Sequence, residues 1–270
     1  MAKLVQAELK RFFRGDLRST RERLLAVTTL LVVAATCFAI CWKLYPQKDA
    51  FSVMENTIST FGKPDKYKDG MGQRFFQLGF ATLCLLLCVS AGHRQRCMRN
   101  LADPGVQLTT SLYLAGTLGL ILSLFFPDSG LVFYGKLKYR LIHGIVVIAG
   151  IVCYVTAISR DLTLILRRHR QRKLGSAILA PQLPKVLIPF AIFIVLFAVA
   201  MVCWLTWEVR CMFDETLDHW PGDGIHSLSM WEWILFSYLF VFMCWFNRLL
   251  SRSISPLGGI ASLHTWKQMH

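Results

Sequence analysis

The chain is predicted to be an all-α integral membrane protein, a bundle of six transmembrane helices with both termini cytoplasmic. Three observations lead there. The first is composition: of 270 residues, 54% are hydrophobic and only 17% are charged. Soluble domains carry about a quarter charged residues, and a chain of this size cannot hide such an apolar excess in one core. The second is six apolar runs of roughly spanning length, about 20 residues each. None has the two-residue alternation of a barrel strand, and lipid admits only helices or closed barrels because every backbone polar group must be satisfied internally. The third is where the charge lies.

The formal charge is +14. Nucleic-acid binding and membrane orientation are rival explanations for it. With spans at about 24–42, 75–91, 108–126, 141–158, 186–207 and 231–250, the loops sort into two sides. Counting Arg248 and Glu232, at the two ends of the sixth span, with the side each is nearer, the side holding both termini collects 20 Lys and Arg against 5 Asp and Glu, a net +15; the other side has 10 against 11, a net −1. That is the positive-inside pattern, and it places both termini in the cytoplasm. The charge is therefore a topology signal, and nucleic acid is not a predicted partner. The membrane itself could be a bacterial inner membrane or a eukaryotic endomembrane or plasma membrane.

Residues 1–23 read as a cytoplasmic amphipathic segment, with Leu4, Val5, Leu9, Phe12 and Phe13 at helical spacing against Lys3, Lys10, Arg11 and Arg14. Such a segment can lie on an anionic leaflet. The transmembrane domain fills 24–250. Its first span ends at Trp42, Tyr45 and Pro46, interface and breaker residues. A polar outer loop, Glu55 to Pro64, leads toward the second span. His93-Arg94-Gln95-Arg96 with Arg99 then reads as a basic cytoplasmic turn. Gly116 and Gly119 in the third span, and Gly144 and Gly150 in the fourth, suit close helix contact. Pro127-Asp128-Ser129-Gly130 is a turn between them. Asp161 falls in the next cytoplasmic connection, although Leu162, Ile165 and Leu166 would let the fourth helix run on. That connection holds Arg167, Arg168, Arg170, Arg172 and Lys173, candidate contacts for anionic lipid. Pro181 and Pro184 precede the fifth span. An acidic outer loop, 208–229, precedes the sixth, which carries Trp231, Trp233 and Trp245. Residues 251–270 form a cytoplasmic tail.

The chain has nine cysteines. Most lie in apolar runs, where free Cys behaves as a small hydrophobe. Cys211 alone falls in an outer loop, so no disulfide framework is implied. The pairs Cys37/Cys41 and Cys84/Cys88 have no His or carboxylate at ligand spacing.

The chemistry-bearing residues collect at the outer rim. Glu55, Asn56 and Ser59 come from the first loop, Asp128 follows the third span, and His143 opens the fourth. An ionisable residue at membrane depth is costly and so marks a candidate site. An Asp128–His143 pair would orient the ring for general-base work or for holding a metal. The structural alternative is that Asp128 caps a turn, His143 bonds a neighbouring helix and the loop hydroxyls serve the backbone. His219 and His226 with the nearby carboxylates are weaker metal candidates, because their spacing is not a helical ligand spacing. No phosphate loop, serine elbow or HExxH motif is present.

Three motif fragments carry a resemblance. They are Ile58-Ser59-Thr60-Phe61-Gly62-Lys63-Pro64 before the second span, Phe126-Pro127-Asp128 after the third, and His143 in the fourth. Together they resemble the six-span prokaryotic membrane proteins grouped as domain of unknown function 998. More distantly they are similar to the damage-regulated autophagy modulators and the GPI-anchor lipid-remodelling proteins. The resemblance implies a bilayer protein that acts on, senses or scaffolds lipid. Glu55-Asn56-Thr57-Ile58-Ser59 also resembles a stretch of the alkaline ceramidases, zinc hydrolases with seven spans and a His-x3-His on the last helix; this chain has six spans and no His in the sixth.

The expected function is binding or sensing of a lipid or membrane partner through an outer pocket of Ser59, Asp128 and His143, without a cofactor. A membrane-protein partner or a second copy of the chain is a further expected contact. The alternative is a zinc-assisted lipid amide or ester hydrolase using Asp128, His143 and either His219 or His226. A small-solute transporter is the third reading. It is disfavoured because the central parts of the spans hold no Asp, Glu, Lys or Arg and the sequence holds no repeat.

Overall fold

A computed structural model of the chain describes residue 6 and residues 20–45, 71–99, 105–126, 132–133, 137–170, 183–213 and 228–268. They form helices α1 (Thr20–Leu44), α2 (Met71–Arg99), α3 (Gly105–Ser123), α4 (Tyr139–Arg170), α5 (Leu183–Phe213) and α6 (Leu228–Gln268). A two-residue antiparallel ladder, β1 (Val132–Phe133) with β2 (Leu137–Lys138), lies between α3 and α4. All six helices are long and apolar enough to cross a membrane, and the protein is a multi-pass integral membrane protein.

Each predicted span lies largely or wholly within a helix, but most of the helices overrun the spans. α2 continues through the basic stretch to Arg99, α4 reaches Arg170, and α6 extends to Gln268 through the predicted tail. Cys211, expected in an outer loop, is still in α5. For α2 and α4 the cause is plain. Charged residues end the hydrocarbon-crossing stretch, but they do not end a helix, since Arg, Lys and Gln are good helix formers.

α2 is the hub, packing on α1, α3 and α6; α4 packs on α3, and α5 on α6. Lipid tails are as apolar as leucine, so helices in a membrane associate through fit and polar contacts rather than water exclusion. The α3–α4 interface follows that rule. A Cβ on Gly116 would stand 2.8 Å from the Gly150 carbonyl oxygen and 2.8 Å from the Tyr154 ring, and one on Gly150 would stand 2.9 Å from the Gly116 carbonyl oxygen. The two backbones touch because neither residue has a side chain. Gly144 is tight against a different helix: its Cβ would stand 2.8 Å from Trp204 Nε1 on α5.

The α1–α2 contact is built similarly around Gly79, whose Cβ would stand 3.0 Å from that of Cys37. Cys37, Cys41 and Cys84 are buried, and none of the eight described cysteines is in a disulfide. The α5–α6 interface is aromatic instead. Phe193, Phe242 and Tyr238 stack with rings within 9° of parallel, Phe246 extends the stack from Phe242, and Tyr238 donates to the Pro189 carbonyl at 2.9 Å.

Candidate functional site

The predicted outer site has one member among the described residues, His143. Glu55, Asn56, Ser59, Asp128, His219 and His226 lie outside them. His143 sits in the second turn of α4, half-buried, and its ring is turned toward the end of α3.

The end of α3 explains that direction. A helix leaves its last carbonyls without internal partners. Here α3 tightens into turns, with Leu124 N–H donating to the Ile121 carbonyl, Phe125 N–H to that of Leu122 and Phe126 N–H to that of Ser123. Side chains from both neighbouring helices supply further donors. Gln77 of α2 donates to the Leu124 carbonyl at 3.3 Å. His143 Nδ1 lies 2.8 Å from the Phe126 carbonyl oxygen and 3.1 Å from that of Ser123. Carbonyl oxygens only accept, so Nδ1 carries a proton and donates. In the neutral ring Nε2 then keeps its lone pair. This is the tautomer expected when one ring nitrogen is fixed by a backbone carbonyl. His143 thus makes the bond to a neighbouring helix that the structural alternative expects, and its Nε2 is not used in these contacts.

A second polar cluster lies where α2, α3 and α4 meet, at the opposite end of α3. Arg94 and Asp161, read from sequence as cytoplasmic loop charges, are in helices and both fully buried. Arg94 Nε donates to Asp161 Oδ2 at 2.7 Å, and Nη2 closes the second arm of the fork on Oδ1. Nη1 donates to Thr110 Oγ1 at 2.9 Å and to the Val106 carbonyl at 3.0 Å. Tyr113 donates its hydroxyl to Asp161 Oδ2 at 3.1 Å, and the Arg94 guanidinium carbon lies 5.5 Å from its ring centre. Two turns along, the Tyr154 and Thr117 hydroxyls meet at 2.5 Å. Thr117 also donates to the Tyr113 carbonyl at 2.9 Å, so the proton between the two comes from Tyr154. Both carboxylate oxygens and all three guanidinium nitrogens of the pair are engaged. The cluster ties three helices together, and its buried charges are spent on one another.

The sequence did carry a signal for this pair. Ile158, Asp161 and Ile165 fall on one helical face, as do Leu87, Ala91, Arg94 and Met98. A charge in register with an apolar stripe is a buried charge seeking a partner. Nothing local says that the partners are 67 residues apart.

Among the described residues no three His, Cys, Asp or Glu side chains converge as metal ligands. Of the predicted anionic-lipid contacts, Arg167 is exposed near the end of α4, the backbone of Arg168 and Arg170 continues that helix, and Arg172 and Lys173 lie outside the described residues. No protein-family model matches the chain, and no curated protein or solved structure matches it either.

Proposed function

We propose that this is a non-enzymatic membrane protein that binds a lipid headgroup at the rim where α3 ends and α4 begins, with both termini cytoplasmic and this rim on the outer face. The observation that carries the reading is the committed ring of His143. Its Nδ1–H is spent on the Phe126 and Ser123 carbonyls, which points Nε2 away from α3 as a fixed acceptor. An acceptor at this depth suits a headgroup that donates: an ammonium or a hydroxyl. Ser59 and Asp128 are the further members proposed for the pocket. Arg167, Arg168, Arg170, Arg172 and Lys173 would hold anionic lipid on the cytoplasmic side, and a membrane-protein partner or a second copy of the chain would meet the lipid-exposed faces.

His143→Asn tests the site without removing its scaffold. The Asn amide nitrogen occupies the place of Nδ1 and keeps the cap, while Nε2 disappears. Co-purifying phosphatidylethanolamine, counted by native mass spectrometry, is expected to fall about tenfold in affinity, one charge-assisted hydrogen bond's worth. Unchanged retention by a folded variant rejects the site.

One observation favours the hydrolase as a second reading. A ring with Nδ1–H on a backbone carbonyl and Nε2 free is the arrangement that metal-ligating histidines adopt. Zinc would there activate a water toward a lipid amide or ester. Stoichiometric zinc in the purified protein, lost in His143→Asn, would establish that reading; zinc-free protein that still binds lipid leaves the first.

A further inference from the structure

Asn247 is the most exceptional side chain of the bundle that no contact explains. It lies in the last full turn of the sixth candidate span, Ser229–Leu250, and is 7% exposed. Among the described residues neither Nδ2 nor Oδ1 has a hydrogen-bond partner, although both atoms are shielded from solvent. An unpaired amide buried in an apolar setting costs about 1–3 kcal/mol, and buried polar groups in folded proteins almost always find a partner. The serine and threonine hydroxyls of this bundle largely obey that rule, with Thr82, Thr109, Thr110, Thr117 and Ser123 each donating to a carbonyl of their own helix.

Helix register locates Asn247 against α2. α2 and α6 run parallel, and Phe80 meets Phe236 edge-to-face with ring centres 5.9 Å apart. Eleven residues further along each helix, about three turns and therefore on the same face, that register sets Asn247 at the level of Ala91. Ala91 is fully buried. Ala91 ends in a methyl group, so at that level α2 has no side-chain polar atom to offer the amide. The next turn of α2 holds Arg94, already committed to Asp161, Thr110 and Val106.

We propose that Asn247 is a binding position for a hydroxyl group, lodged between α6 and α2 at the level of Ala91. A hydroxyl both donates and accepts, so one such group can donate to Oδ1 and take the hydrogen of Nδ2. It comes either from an enclosed water molecule or from the headgroup of a hydroxyl-bearing lipid reaching in from the adjacent leaflet.

The test uses full-length protein in a detergent without hydroxyl groups, and reads the thermal midpoint of the wild type, Asn247→Leu and Asn247→Ala. An amide with no partner is better removed. Leu keeps the branched shape of Asn without its polar atoms, so relief of an unpaired amide, about 1–3 kcal/mol, should set it at or above the wild type, while Ala shows the cost of the emptied volume alone. If a hydroxyl is bound, both variants melt below the wild type, by about 2–4 °C or more. A variant that melts at or above the wild type overturns the proposal. Added lipid identifies the source. Phosphatidylglycerol and phosphatidylmethanol carry the same charge and differ in headgroup hydroxyls. A wild-type midpoint raised more by phosphatidylglycerol, with the difference lost in both variants, assigns the hydroxyl to lipid. Equal responses, with both variants still destabilised, assign it to water.

Discussion

Arg94 and Asp161 set the terms at the level of single residues. Burying an ion pair gains little over an apolar pair of the same size, yet removing one partner strands the other charge. With both side chains fully buried and each polar atom engaged, Arg94→Met and Asp161→Asn are each expected to cost about 3–5 kcal/mol. The double variant Arg94→Met/Asp161→Met should recover most of the loss. Thermal unfolding of the three purified proteins reads this. Singles and double that fall equally would mean that the pair does not act as a unit. His143 makes a smaller, separable contribution. His143→Ala removes the donor to the α3 carbonyls and is expected to cost about 1–2 kcal/mol, whereas His143→Asn, which keeps the donor, should stay within about 0.5 kcal/mol of the wild type. An equal loss in both variants would show that the ring packs rather than caps.

Among the helices, the tightest contact is that of α3 with α4. The Gly116 and Gly150 backbones leave no room for a Cβ on either, so the contact cannot relax by moving the far end of a flexible side chain. Gly150→Leu is expected to part the two helices and cost at least the 1–3 kcal/mol usual for overpacking. The loss should spread to the buried cluster beside it, since Tyr113 and Tyr154 come from these same two helices and meet at 5.6 Å. A cysteine pair placed across the α3–α4 interface near Leu120 should then cross-link in the wild-type background and fail to do so beside Gly150→Leu; equal cross-linking in both would remove this account of the interface. The glycines were legible in the sequence as small residues suited to helix contact, because membrane helices have few other ways to approach closely. What they touch was not legible. Gly144, Gly150, Gly116 and Gly119 read alike in the chain, yet three of them join α3 to α4 and the fourth receives Trp204 of α5. Partner choice depends on helix order around the bundle, which local spacing does not encode. The same holds for Arg94 and Asp161. A run of basic residues ends a membrane span, and so both were read as loop charges, but helices continue through charge and carried the pair into the protein. His143 was legible as a polar residue at membrane depth. Its role as the cap of α3 was not, because the carbonyls it satisfies belong to the backbone and leave no mark on sequence.

For the whole molecule the decisive quantity is charge asymmetry. Arg94 and Asp161 leave the solvent-facing count together, one of each sign, so the net +15 of the side assigned to the cytoplasm is unchanged by their burial. If all six candidate spans cross, both termini lie on one side. The proposed orientation rests on the remaining Lys and Arg, each of which resists translocation. Single cysteines in a cysteine-free background test it. Lys173→Cys should react with an impermeant maleimide only after the membrane is opened, and Lys66→Cys should react in intact cells. The reverse pattern would turn the molecule over. His143 and its open nitrogen would then face the cytoplasmic leaflet, the Arg94–Asp161 clasp and Asn247 would lie near the outer one, and the lipids available to each would exchange. The labelling result therefore decides which leaflet would supply the headgroups proposed for His143 and for Asn247. The two proposed positions lie near opposite ends of the bundle, since His143 is near the start of the fourth candidate span and Asn247 near the end of the sixth.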